Sequence, residues 1–132
     1  MKIYQAGPLF TDAEKEFNRK VAEALRKAGH QVFLPQEHEQ QLVSGYPAKI
    51  FVGDVRGLDE ADTVVAVLDG SDVDSGTAWE CGYAYAKGKP IFGLRTDIRI
   101  YGREEQVNLM VQVPCRALVR TIDALLEALR VA

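Results

Sequence analysis

The run Thr63-Val64-Val65-Ala66-Val67-Leu68 decides the fold. It is continuously apolar or β-branched and lacks polar alternation. It therefore reads as a strand buried on both faces, as in a parallel sheet covered by helices on each side. Upstream, residues 2–6 form a short apolar strand ending at Gly7-Pro8, and residues 30–35 form a second strand. Residues 11–28 between them read as a helix: Thr11 with Glu14 makes a capping box, Phe17, Val21, Ala22, Leu25 and Ala28 recur at helical spacing, and Gly29 is placed to end it. Residues 36–45 read as a polar surface loop, and residues 46–60 as a helix with Ile50, Phe51, Val55 and Leu58 on one side. Downstream come a helix over 76–87, strands over 91–94 and 117–119, and a closing amphipathic helix over 120–131. The alternation predicts an α/β, flavodoxin-like, doubly wound five-stranded parallel sheet with helices on both faces, occupying residues 1–132 as a single domain. Ligands of such sheets bind beyond the carboxyl ends of the strands, where strand order reverses. The loops to inspect are therefore 7–11, 69–76 and 95–108.

Composition narrows the function. The 132 residues are 47% hydrophobic and 27% charged, proportions of a globular protein. Net charge is -3 and the basic residues are scattered, so a nucleic acid polymer is not an expected partner, whereas a single nucleoside is compatible. No apolar run approaches the roughly 20 residues that span a bilayer. The N-terminus reads as a strand rather than a secretion signal. Cys81 and Cys115 have neither metal-ligand nor CxxC spacing and are expected to be reduced and structural. The expectation is a cytoplasmic protein with no metal, no cofactor and no membrane association. The chain has no P-loop, GxGxxG or GxSxG, and His30 reads as a turn residue. A receiver domain would carry an acidic pair after the first strand, where this chain has Gln5-Ala6-Gly7-Pro8.

The chemistry concentrates after the central strand, in Asp69-Gly70-Ser71-Asp72-Val73-Asp74-Ser75-Gly76 and the helix that follows. Glu80 falls in the first turns of that helix, where the dipole is expected to keep a carboxylate ionised. Asp74 lies just upstream, so the two carboxylates can address one ligand atom, and a pair about 5 Å apart serves double displacement at an anomeric carbon. An acidic cluster also suits an ordinary turn and helix start, and spacing alone favours that plainer reading. Asp54 reads as an exposed helical residue, Tyr4 as either a core aromatic or a functional one, and Asn108 as a cap or turn former.

Asp74-Ser75-Gly76-Thr77-Ala78-Trp79-Glu80-Cys81-Gly82-Tyr83-Ala84 is similar to the D-x-G-x-x-x-E-x-G-x-A signature of the nucleoside 2-deoxyribosyltransferase family. Ala6-Gly7-Pro8-Leu9-Phe10, Asp54 and Asn108-Leu109-Met110 resemble further family segments in the same order. The resemblance implies that Glu80 attacks C1' of a 2'-deoxynucleoside and that Asp74 exchanges a proton with the base. It implies that Asp54 assists and that Tyr4 orients Glu80. It also implies that Asn108 holds the 5'-hydroxyl, with Gly7, Pro8, Phe10, Gly76 and Met110 around the substrate. Free purine or pyrimidine bases would be the second substrates. A homo-oligomer, dimer or hexamer, with shared active sites is implied, with Trp79 and Tyr83 as interface or core residues. The alternatives are a 2'-deoxynucleoside or deoxynucleoside 5'-monophosphate N-hydrolase and a non-catalytic nucleoside-sensing module. The first loop and Asn108 favour a nucleoside over a monophosphate.

Overall fold

Strand β3 (Thr63–Val67) is buried along its whole length. It lies at the centre of a five-stranded, all-parallel sheet formed with β1 (Lys2–Ala6), β2 (Gln31–Phe33), β4 (Ile91–Leu94) and β5 (Ala117–Val119), in the order β2-β1-β3-β4-β5. The computed structural model describes residues 1–38 and 43–132. The helices are α1 (Asp12–Lys27), α2 (Tyr46–Glu60), α3 (Ser75–Ala86), the short α4 (Leu109–Gln112) and α5 (Ile122–Arg130). The sheet and its order are those of a flavodoxin-like α/β fold.

Strand alternation divides the core. Val64, Ala66 and Leu68 join Tyr4 in a cluster with Leu58 of α2 and Cys81 and Ala84 of α3. Val65 and Val67 join Ile3 in a second cluster with Val21 and Leu25 of α1 and Leu125 of α5. The sequence therefore places Tyr4 on the α2–α3 side. The order of strands reverses between β1 and β3, since the chain leaves β1 towards β2 and returns on the other side at β3. The loops after β1 and β3 splay apart there and open a crevice.

Most boundaries match the sequence reading within two residues. Thr11 caps α1 in a complete capping box with Glu14, and Gly29 turns the chain with φ +96°. Two segments differ. Within the expected loop 36–45, Pro35–His38 form one 3-10 turn, while residues 39–42 lie outside the described residues. The turn has no periodicity of its own; Gln36 donates to the carbonyl of Lys15, and Arg26 pairs with Glu37. Helix α4 was not anticipated, because four residues are too few to show a period. Asn108 caps it by accepting from the Met110 N–H. Both cysteines are free, Cys81 buried and Cys115 half-buried. Among the described residues no helix is long and apolar enough to cross a membrane.

Replacing Thr11 by Ala removes the hydroxyl that accepts from the Glu14 N–H while leaving the backbone half of the capping box, and should cost about 1 kcal/mol of stability by urea unfolding. An unchanged midpoint would contradict this account of how α1 starts.

Candidate active site

Helix α3 begins beyond the carboxyl end of β3 because Asp74 caps it: Oδ2 accepts from the Thr77 N–H at 3.1 Å and from the Thr77 hydroxyl at 3.2 Å. The next turn carries Glu80 back over the sheet. Tyr4 on β1 is fully buried beneath it, and its hydroxyl donates to Glu80 Oε2. Tyr4 does not line the cavity, so it reaches the site only through Glu80.

That cavity, about 520 Å³, sits in the crevice at the β1–β3 switch point. Leu9 and Phe10 come to it from the loop after β1, Pro35 from the 3-10 turn, and Ile50, Phe51, Asp54, Val55 and Leu58 from α2. Asp74, Ser75, Gly76, Trp79 and Glu80 complete it from the start of α3. Three carboxylates thus face an otherwise apolar space, and among the described residues no lysine or arginine lines it. Phe10 at 72%, Phe51 at 55% and Trp79 at 49% exposure stand at its mouth, with Trp79 edge-on to Phe51 and stacked on Tyr83. Among the described residues no group of three His, Cys, Asp or Glu side chains could hold a metal ion.

The charge state of Glu80 differs from the sequence expectation. Burial lifts its carboxyl to about 7, the Tyr4 hydrogen bond opposes the rise, and the neighbouring charges of Asp54 and Asp74 add to it. The helix dipole fades beyond the first turn, and Glu80 lies past it, so desolvation dominates. The same burial, reinforced by Glu80, keeps the Tyr4 hydroxyl protonated well above the usual phenol range. Asp54 is also corrected: it is half-buried and faces the cavity, and burial raises its carboxyl against a lowering influence from His38. The signal was present in the spacing, since Asp54 lies one helical turn from both Ile50 and Leu58.

The acidic loop divides by role. Asp69 accepts from the Thr96 N–H and hydroxyl and from the Asp97 N–H, at 2.6–2.9 Å. Asp72 accepts from the N–H groups of Val73 and Asn108. The plain turn reading suits these two, and Asp74 alone of the three lines the cavity. The structure thus brings Glu80, Asp74, Asp54, Phe10 and Gly76 together around one space, with Tyr4 behind. It leaves Gly7 and Pro8 off that wall: Gly7 packs closely on Asn18 and Val67, and the Pro8 carbonyl accepts from Asn18. Asn108 and Met110 are also off it, Asn108 tied to Asp72 and Met110 exposed. The sequence reading missed Arg95, which is fully buried and donates to the carbonyls of Leu68 and Arg99, clamping the loop after β4.

Fold and site together define a doubly wound α/β enzyme with a carboxylate centre beneath an apolar cavity. The family model for nucleoside 2-deoxyribosyltransferase matches residues 3–113. The chain belongs to the nucleoside 2-deoxyribosyltransferase family and is an enzyme acting on N-glycosidic bonds. It superposes on a 2-deoxyribosyltransferase from Bacillus psychrosaccharolyticus with TM-score 0.82 and 29% identity, covering 94% of this chain and 89% of that one. A conserved protein from Enterococcus faecalis gives TM-score 0.82 and 31% identity, covering 98% and 97%. A Thermofilum pendens protein, provisionally named a 2'-deoxynucleoside 5'-phosphate N-hydrolase, is 30% identical over 116 aligned positions, covering 85% of this chain and 77% of its own.

The raised Glu80 carboxyl has a consequence for stability. Its folded value, about 7, lies above the ordinary 4.5, so its contribution is fully present below pH 4.5 and is lost as pH rises through 7. Urea unfolding should show the wild type losing stability relative to Glu80→Gln across that window. A pH-independent difference between the two would contradict the assignment.

Proposed function

We propose that this protein exchanges the base of 2'-deoxynucleosides through a covalent deoxyribosyl-Glu80 intermediate, with retention. The observation that carries the proposal is the Glu80 carboxylate, held by Tyr4 at the wall of a cavity it shares with Asp54 and Asp74. Ionised Glu80 attacks C1' as the glycosidic bond breaks. The bonding pair leaves with the base nitrogen, and a proton from Asp74 neutralises the departing base, with Asp54 assisting. A second base then attacks C1' from the vacated face, expels Glu80 and returns its own proton to Asp74. Base departure develops positive charge on the sugar, and the carboxylate stabilises it before bonding to it. Phe10, Phe51 and Trp79 offer ring faces for base stacking.

A 5'-phosphate would enter a space with three carboxylates and, among the described residues, no lining cation, which Coulomb repulsion disfavours, so nucleosides are the substrate class. Hydrolysis is the second reading, favoured by the Thermofilum pendens relative, with water replacing the second base on the same intermediate. A sensing module would not need a half-buried, tyrosine-bound glutamate at its cavity. In this reading the protein works as a homo-oligomer, with exposed Met110 and neighbouring Asn108 completing a partner's cavity.

Incubation with deoxyinosine and adenine, followed by product separation, should yield deoxyadenosine. Hypoxanthine alone would mean hydrolysis, and no product would overturn the proposal for these substrates. Glu80→Ala should reduce exchange by about a thousandfold or more, as removal of a covalent nucleophile does. Near-normal exchange by that variant would rule out the covalent route.

A further inference from the structure

Phe33 and Gly57 stand outside the cavity, yet they pack α2, which carries Asp54, against the sheet beside Tyr4. Phe33 ends β2 directly beside Tyr4 in the parallel register. Its ring stacks on Tyr4 at 5.4 Å and 12°, and on His38 at 4.3 Å and 5°. Gly57 lies on α2, one turn beyond Asp54, and is buried. A Cβ at Gly57 would lie 2.9–3.0 Å from three atoms of the Phe33 ring, closer than van der Waals contact permits. Those atoms are at the root of the ring rather than at the end of a flexible chain, and the two stacking neighbours restrict its rotation. The absent side chain therefore lets α2 lie directly on Phe33. Leu58, the next residue, is fully buried in the same cluster as Tyr4.

We propose that the Gly57–Phe33 contact is a spacer that sets how far Asp54 on α2 stands from the Tyr4–Glu80 pair, making both residues positioning residues for the active site. The inference takes its functional meaning from the base-exchange reading, but the geometry it describes does not depend on that reading. One turn of helix is a rigid lever, so a displacement at Gly57 is carried to Asp54. Phe33 also supports the Tyr4 ring, whose hydroxyl orients Glu80. The groups facing Glu80 are Tyr4 from β1, Asp54 from α2 and Asp74 from the cap of α3. Of these, Asp54 is carried on the helix that the spacer holds.

The test is a carboxyl NMR titration of Glu80 in the full chain, with exchange kinetics alongside. In Gly57→Ala, α2 moves outward, water and distance relieve Glu80, and its midpoint should fall from about 7 towards 4.5. Phe33→Trp pushes the helix the same way from the opposite side and gives the same reading if Gly57→Ala does not fold. The double variant Gly57→Ala/Phe33→Leu, in which the smaller side chain admits the new methyl but no longer stacks on Tyr4, should bring the midpoint back up from its Gly57→Ala position. Exchange should fall by about ten- to a hundredfold in the single variants, as displacements near 1 Å produce, and rise in the double above its Gly57→Ala level. A folded Gly57→Ala protein with an unchanged Glu80 midpoint would overturn the spacer. Wild-type protein without exchange activity would instead overturn the proposed function, and the titration would still decide the spacer.

Discussion

The hydrogen bond from Tyr4 to Glu80 joins the centre of the sheet to the second turn of α3, and the other features of the site are arranged about it. Tyr4 is immobilised from below by the core cluster and from the side by Phe33. Asp74 fixes where α3 starts and so where Glu80 falls along the helix. A buried carboxylate in an apolar wall is unfavourable unless a donor meets it. Here one phenol meets one oxygen, and the charged side chains that share the cavity wall among the described residues, Asp54 and Asp74, are both acids. The site is therefore electrostatically strained at neutral pH, and the fold around it supplies the compensation.

In the proposed mechanism that strain has a use. A carboxyl lifted to about 7 is close to balance between its two forms, and the balance is set by burial against the Tyr4 hydrogen bond. In the proposed mechanism, the positive charge that develops on the bound sugar as the base departs would tip Glu80 towards its ionised form. The absence of lining cations among the described residues leaves no competing partner for that carboxylate. The apolar contributions of Ile50, Val55 and Leu58 keep the effective dielectric low, which strengthens the attraction between carboxylate and developing charge.

Much of this was legible in the sequence because the deciding signals were strong. The continuous run 63–68 requires two covered faces, and the Thr11–Glu14 box marks a helix start without tertiary help. The candidate site was legible chiefly as a resemblance, since spacing alone did not distinguish Asp74 from Asp69 and Asp72. Only the folded chain shows that Asp69 and Asp72 accept backbone donors from the loop after β4 and its sequel, leaving Asp74 on the cavity. The burial of Glu80 was hidden for a related reason. Helix position predicts the dipole, but desolvation depends on what α2 brings from 20 or more residues away in the chain. Arg95 shows the same limit, since its burial depends on the carbonyls of Leu68 and Arg99 meeting it after folding.

The central claim is that the sugar is carried on Glu80. The most direct measurement is peptide mapping by mass spectrometry after rapid acid quench of the protein with deoxyinosine. The account predicts one added deoxyribosyl group on the peptide containing Glu80, discharged when adenine is supplied before the quench. Base exchange proceeding with no adduct, or with the adduct on another side chain, would contradict it.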